Sequence, residues 1–320
     1  MAMRVEPIQI GIDVSQDELV ICRGDRDGLT TIENTPQAIA SWLKTLHGVV
    51  RIAVEATNVF HVELVERAHR RGHTVFVLDG YRLNRYRESV GGRAKTDATD
   101  ARLLLRYLDR EWRDLRPWTP PSKGYQALQR LIHRRATLIR AKVALEQSLR
   151  TLSEIRPSVQ ALLRQMDRVD QQIRKQMLKV VSKQGWQADT ARLMGIEGIA
   201  EITSAALVMA FRRGEFTSSD AFIAFLGLDV RVRESGKSKG CGKLTKKGNP
   251  ELRRLLYLAA MTARRSPAWK DFYQHHLSRG RSRIQALVIL ARKLARVAFA
   301  LLKNQTEYQP KIRQEACIAT

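Results

Sequence analysis

The sequence predicts an α/β N-terminal domain, a helical coiled-coil stalk and a mainly α C-terminal domain, and three observations carry that division. Period-two aliphatic runs alternate with amphipathic helical stretches over the first 110 residues, the pattern of strands and crossover helices. Leucines then recur every seven residues from Leu131 to Leu152, as along a helical seam. Beyond Asp189 the helical stretches are separated by glycine-containing turns. The expected boundaries are 1–115, 122–183 and 189–305, with a tail over 306–320.

In the first block Ile8, Ile10, Ile12 and Val14 alternate with Gln9, Gly11, Asp13 and Ser15, so Asp13 takes the strand face opposite the aliphatics. Glu18 to Cys22 and Leu29 to Glu33 read as two more strands of a meander, with the turn residues DRDG between them. Thr35 suits the N-cap and Pro36 the first position of a helix through Ile39, Trp42, Leu43 and Leu46. RIAVEAT is a strand with Glu55 at its carboxyl end, and a helix through Val62, Leu64, Val65 and Ala68 leads to TVFVL, apolar enough for a strand buried on both faces. KTDATD, Lys95 to Asp100, opens the next helix, with Asp97 and Asp100 three residues apart on one face.

In open α/β sheets functional groups collect at the carboxyl ends of strands. Asp13, Glu55, Asp97 and Asp100 converge if the first and fourth strands are neighbours. Four such carboxylates repel and raise one another's pKa unless a cation neutralises them. The structural alternative is that Asp97 and Asp100 complement a helix dipole and the other two are edge or turn residues.

The charge balance narrows the function. Lys+Arg 56 against Asp+Glu 32 gives +24, and the excess is one-sided. Residues 1–110 hold 16 basic and 15 acidic side chains, residues 111–320 hold 40 and 17. Such a polycation attracts nucleic acid or an anionic membrane. No signal-peptide pattern opens the chain, and the best apolar run, Ile284 to Leu302, is broken by Arg292, Lys293 and Arg296. Cys22, Cys241 and Cys317 are odd in number and lack CxxC spacing, which argues against disulfides and a zinc knuckle. The expectation is a cytoplasmic, nucleoid-associated protein with no membrane partner.

In the stalk, Leu128 and Leu149 accompany the seven-residue series and Arg135 and Lys142 take the polar positions between. Pro157 interrupts the pattern, which resumes through Val159, Leu162, Met166, Val169, Ile173 and Val180. Two helices result, forming a hairpin or pairing between chains. Further on, LMGIEGIAEITSAALV places Gly195 and Gly198 three apart before an Ala-rich helix, like a helix-hairpin-helix turn whose N–H groups approach a phosphate.

Arg231 to Arg254, RVRESGKSKGCGKLTKKGNPELRR, carries nine basic residues against Glu234 and Glu251. Gly236, Gly240, Gly242 and Gly248 are expected to keep it irregular, until Asn249 and Pro250 cap a helix with Leu252, Leu255 and Leu256 inward. A basic loop of this kind grips phosphates without reading bases. Arg231, Arg233, Lys237, Lys239, Lys243, Lys246 and Lys247 are the candidate backbone contacts. The surrounding cations favour ionisation of the Ser235 or Ser238 hydroxyl equally well by spacing alone, and either is also a plain loop serine. Tyr257 and Tyr273 are nucleophiles by chemistry but lie outside this basic segment.

GIDVS, VEATNVF, KTDATDA, LMGIEGI, LGLDVRVRESG and KKGNPELRRLL, in this order and spacing, resemble the DEDD-type insertion-sequence transposases of the insertion sequence 110 family, nearly end to end. Asn58 departs from the pattern, where the family more often has glycine, in a turn and not at a proposed ligand. The resemblance implies a ribonuclease-H-like, RuvC-like N-terminal domain similar to Holliday-junction resolvases, with Asp13, Glu55, Asp97 and Asp100 binding Mg²⁺. It also implies that Ser235, not Ser238, is a nucleophile forming a phosphoserine link to DNA. Similar proteins assemble as dimers and tetramers and use a noncoding RNA that bridges target and donor DNA. The function implied is transposase and site-specific recombinase. Two alternatives remain: a metal-dependent junction-resolving nuclease using water, and a non-catalytic nucleic-acid-binding protein.

Overall fold

Strand β1 (Gln9–Val14) is buried on both faces, and the N-terminal sheet is built outward from it. The computed structural model describes residues 6–91, 96–231, 234–235, 238–239, 242–245 and 247–310, with the backbone alone at 234, 235, 238 and 239. The chain divides into two compact units, Met1–Pro120 and Pro121–Thr320.

In the first unit β1 pairs antiparallel with β2 (Glu18–Arg23), which pairs antiparallel with β3 (Leu29–Glu33). On its other side β1 runs parallel to β4 (Arg51–Glu55), and β4 parallel to β5 (Thr74–Leu78), giving the order β3-β2-β1-β4-β5. The first and fourth strands are therefore neighbours. Helix α1 (Pro36–Lys44) starts at Thr35, whose hydroxyl accepts the Ala38 N–H, with Pro36 at its first position. It buries Ile39, Trp42 and Leu43, with Leu64 and Val65 of α2 (Val62–Arg70), in one core with Ile10, Ile12 and Val14. On the opposite face lie α3 (Gly80–Ser89) and α4 (Asp97–Glu111), where Leu83, Leu104 and Leu108 pack with Ala53 and Phe76. Both faces of the central strands β1 and β4 are covered, so carboxylates on them find room at the strand ends.

Among the described residues, the regular elements of the second unit are helices apart from four two-residue strands. Helices α5 (Lys123–Ser148) and α6 (Arg156–Lys183) pack against each other, and Pro157 stands in the first turn of α6 rather than within a helix. Arg135 pairs with Asp170 at 2.7 Å, and Lys142 with Asp167. The hairpin option is thus the one adopted within the chain. Leu128, Ile132, Met177 and Val181 bury its base, whereas Val143, Leu152, Ile155 and Leu162 remain exposed. That base joins the core of α7 (Gln187–Met194), α8 (Glu201–Phe211), α9 (Ser219–Phe225), α10 (Pro250–Ala263), α11 (Pro267–Ser278) and α12 (Arg283–Asn304). Among the described residues no helix is long and apolar enough to cross a membrane.

Candidate active site and nucleic-acid interface

The parallel register pairs Ile12 with Val54, so the next residues, Asp13 and Glu55, stand beside each other on adjacent strands. Their face is the one on which α4 lies. A Cβ on Gly11 would overlap the Ala101 carbonyl oxygen and the Leu105 nitrogen, so the absence of a side chain there lets α4 settle directly onto β1. This contact carries the start of α4 to the end of the strand. Thr96 caps the helix reciprocally with Thr99: its hydroxyl accepts the Thr99 N–H at 3.2 Å, and its own N–H donates to the Thr99 hydroxyl at 2.9 Å. Asp97 and Asp100 follow in the first turn, the former exposed and the latter buried.

The four carboxylates share one electrostatic field. The Asp13 carboxyl is pushed up to about 6, first by burial and then by Asp100, Asp97 and Glu55, against which the Val14 N–H works. Hard oxygen donors of this kind suit Mg²⁺. Among the described residues, however, no three potential ligands are grouped closely enough to hold an ion. One reason lies on α3. Arg87 donates from Nη2 to Asp100 Oδ1 at 2.6 Å, in a pair where both residues are buried. At the other end of α3, a Cβ on Gly80 would overlap Glu55 Oε1, so that carboxylate lies against the first turn of the helix. A helix N-terminus favours a negative group there.

Helix α3, Arg87 and Gly80 were absent from the sequence reading. Their signal was available in Asp79, which accepts the Arg82 N–H as N-cap, and in Leu83, Tyr86 and Val90 at three-four spacing.

Among its described residues the basic segment holds two short antiparallel pairs, which the expectation of an irregular loop did not include. Strand β6 (Val230–Arg231) pairs antiparallel with β9 (Lys243–Leu244), and β7 (Glu234–Ser235) with β8 (Ser238–Lys239). Period two explains the outer pair: Val230 and Leu244 are half-buried while Arg231 and Lys243 are exposed. Ser235 and Ser238 are cross-strand partners. Arg233, Lys237 and Lys246 lie outside the described residues, and Ser235 and Lys239 are described by backbone alone. Lys247 is exposed at the foot of the excursion. A groove of about 610 Å³ beside the outer strand pair is lined by Arg231 and Lys243, by Leu244 and Ile284, and by Arg281 and Arg292, which the sequence had not marked as phosphate contacts. Asn249 caps α10 as expected, accepting from the Glu251 and Leu252 N–H groups, and Leu252, Leu255 and Leu256 are buried.

The Gly195 and Gly198 turn is filled by protein. The Gly195 N–H bonds the Arg192 carbonyl at 3.3 Å, and Gly195 lies against Tyr308, which stacks on Trp269. A Cβ on Gly198 would overlap the Ala259 carbonyl, so this residue serves the packing of α10. Tyr273 is buried in the same unit, which removes it from contact with a phosphate.

Residues 10–157 match the DEDD transposase model of the IS110 group, described as a transposase, and residues 190–274 match the transposase IS116/IS110/IS902 family. The chain belongs to the IS110 transposase family. Within that family it is 25% identical to the pilin gene-inverting protein of Moraxella lacunata, over 95% of this chain and 98% of that protein. It is 30% identical to a probable family 20 transposase of Pseudomonas aeruginosa over 50% of this chain and 46% of that one. It is 29% identical to an insertion element IS110 protein of Streptomyces coelicolor over 38% of this chain and 30% of that protein. The departure from the family pattern at Asn58 has a conformational account: its φ is 43°, a left-handed position that glycine and asparagine tolerate best.

Proposed function

We propose that this family member cuts and rejoins DNA strands as the transposase of an insertion element. Asp13, Glu55, Asp97 and Asp100 would hold Mg²⁺, and Ser235 would be the nucleophile. The observation that carries the reading is the field on Asp13, whose carboxyl is raised to about 6 by burial and by three further acids on one face. When bound, the ion supplies charge stabilisation at the scissile phosphate. The rest of the chemistry falls to the chain. Ser235 Oγ forms a bond to a DNA phosphorus as the bond to the departing deoxyribose oxygen breaks. That oxygen takes up the proton that the serine hydroxyl loses, and the serine phosphodiester keeps the linkage ready for a second strand's hydroxyl. Arg231, Lys243, Lys247, Arg281 and Arg292, with Arg233, Lys237, Lys239 and Lys246, would neutralise DNA or guide-RNA phosphates.

A ribonuclease-H-like fold for the first unit is supported by the order β3-β2-β1-β4-β5 with its three-strand meander. Dimers or tetramers formed through the α5–α6 hairpin are supported by the exposed Val143, Leu152, Ile155 and Leu162. The nearly full-length likeness to a gene-inverting protein supports exchange between two DNA sites. The test is incubation with the element's own DNA and adjacent noncoding RNA in Mg²⁺, trapping and mapping any covalent adduct. An adduct on Ser235 is expected. Cutting without any adduct would favour the water-using nuclease, a reading helped by the presence of all four carboxylates in the first unit alone. No cutting, with binding intact after Asp13→Ala and Asp97→Ala, would leave a non-catalytic nucleic-acid-binding protein.

A further inference from the structure

The least expected group beside the carboxylates is a buried cation. Arg87 is 9% exposed and Asp100 3%, and their pairing at 2.6 Å joins the last turn of α3 to the first turn of α4. The guanidinium is held from a second side, because Nη1 donates to the Asn84 side-chain oxygen at 3.1 Å, one turn earlier on α3. The planar fork thus spans an amide and a carboxylate at once, which a lysine ammonium cannot reproduce with the same geometry. Helix α3 is also fixed to α4 by the edge-on rings of Tyr86 and Tyr107, 4.7 Å apart.

We infer that Arg87 is a resident cation of the carboxylate site: it satisfies Asp100 when no metal is bound and competes with the divalent ion for it. The inference rests on the proposed metal-binding role of the four carboxylates. Two observations favour competition over mere support. Asp100 Oδ1 is taken by Arg87, and no three carboxylates are gathered around a point among the described residues. A fixed positive charge next to a carboxylate also opposes the approach of a doubly charged ion. Metal loading then means that Asp100 exchanges a guanidinium for the ion, and the end of α3 is released from α4 at that point.

A plain structural ion pair would lower stability when broken but would not change metal affinity in the folded protein. The two are separated by Mn²⁺ titration of the full chain, followed by electron paramagnetic resonance, alongside thermal melts with and without Mn²⁺. Arg87→Gln is expected to bind Mn²⁺ about tenfold or more tightly than the wild type. It should melt lower in chelator and gain more than the wild type on adding Mn²⁺, by linkage. Arg87→Lys, which keeps the charge but loses the fork held by Asn84, should fall between the wild type and Arg87→Gln. Asn84→Ala, which loosens the guanidinium and is gentler on the fold, should shift affinity in the same direction by less. Arg85→Gln is the control, since Arg85 is exposed and paired with Glu88. Unchanged or weaker Mn²⁺ binding in both Arg87→Gln and Asn84→Ala, with the wild type binding normally, overturns the inference and leaves the metal reading standing. Absence of Mn²⁺ binding in the wild type, insensitive to Asp97→Ala, overturns the metal reading and this inference with it.

Discussion

The acidic face of the first unit and the basic excursion of the second solve opposite electrostatic problems. Carboxylates brought together repel, so each of the four is placed by rigid structure: Asp13 and Glu55 by adjacent parallel strands, Asp97 and Asp100 by a reciprocally capped helix pressed onto Gly11. The cations need no such convergence. They are strung along two short antiparallel pairs, where the outward positions Arg231 and Lys243 meet water. A scaffold that forces like charges together suits binding of one small ion, while an open row of cations suits a long polyanion.

The largest effect that would break this comparison is Ser235→Ala. If the basic excursion supplies the nucleophile, strand joining should fall on the order of 10³-fold or more, with the melting temperature unchanged. Persistence of strand cutting in this variant would reduce the excursion to a phosphate grip and give the chemistry to the acidic face alone.

Next comes Gly11→Ala. The added methyl meets backbone atoms of α4, which cannot rotate aside, so α4 must move away from β1. A loss of about 1–3 kcal/mol in denaturant melts is expected, with weaker Mn²⁺ binding because Asp97 and Asp100 travel with the helix. A variant that keeps both stability and Mn²⁺ affinity would show that the carboxylates are not positioned through this contact.

The acidic face was legible in the sequence because strand period and helix caps are local signals. Ile10, Ile12 and Val14 set the side of Asp13, and KTDATD with Pro36 and Asn249 marked helix starts that the structure retains. Arg87 was not legible, since nothing within α3 announces that an arginine will turn inward to an aspartate on the next helix. The short pairs of the excursion were not foreseen because a two-residue alternation is too short to count as a strand pattern. Gly198 was read for an N–H that approaches a phosphate, whereas its surroundings are the close approach of α10.

A pH effect sharpens the electrostatic half of the contrast. In folded, metal-free protein the Asp13 carboxyl sits at about 6, above its unfolded value near 3.9. The native state therefore binds more protons between those values, and this group's contribution is fully present below about pH 4 and lost as pH rises through about 6. Asp13→Asn should match the wild type in chelator at pH 4 and melt higher than it at pH 8. Equal melting at both pH values would mean that the four acids do not share a field in solution.

The smallest effect concerns the cations one at a time. Removing a side chain that touches only a phosphate lowers affinity for all sequences alike and reduces the steepness of the salt dependence by about one unit. Lys243→Ala and Arg231→Ala should each do so when DNA affinity is measured across salt concentrations. Arg67, already paired with Glu63 on α2, gives the matched comparison from the first unit, and Arg67→Ala should leave the slope as it was. Equal slopes for all three variants would place the polyanion elsewhere on the second unit, because the row of exposed cations would then carry no more of the binding than an arginine engaged with its own glutamate.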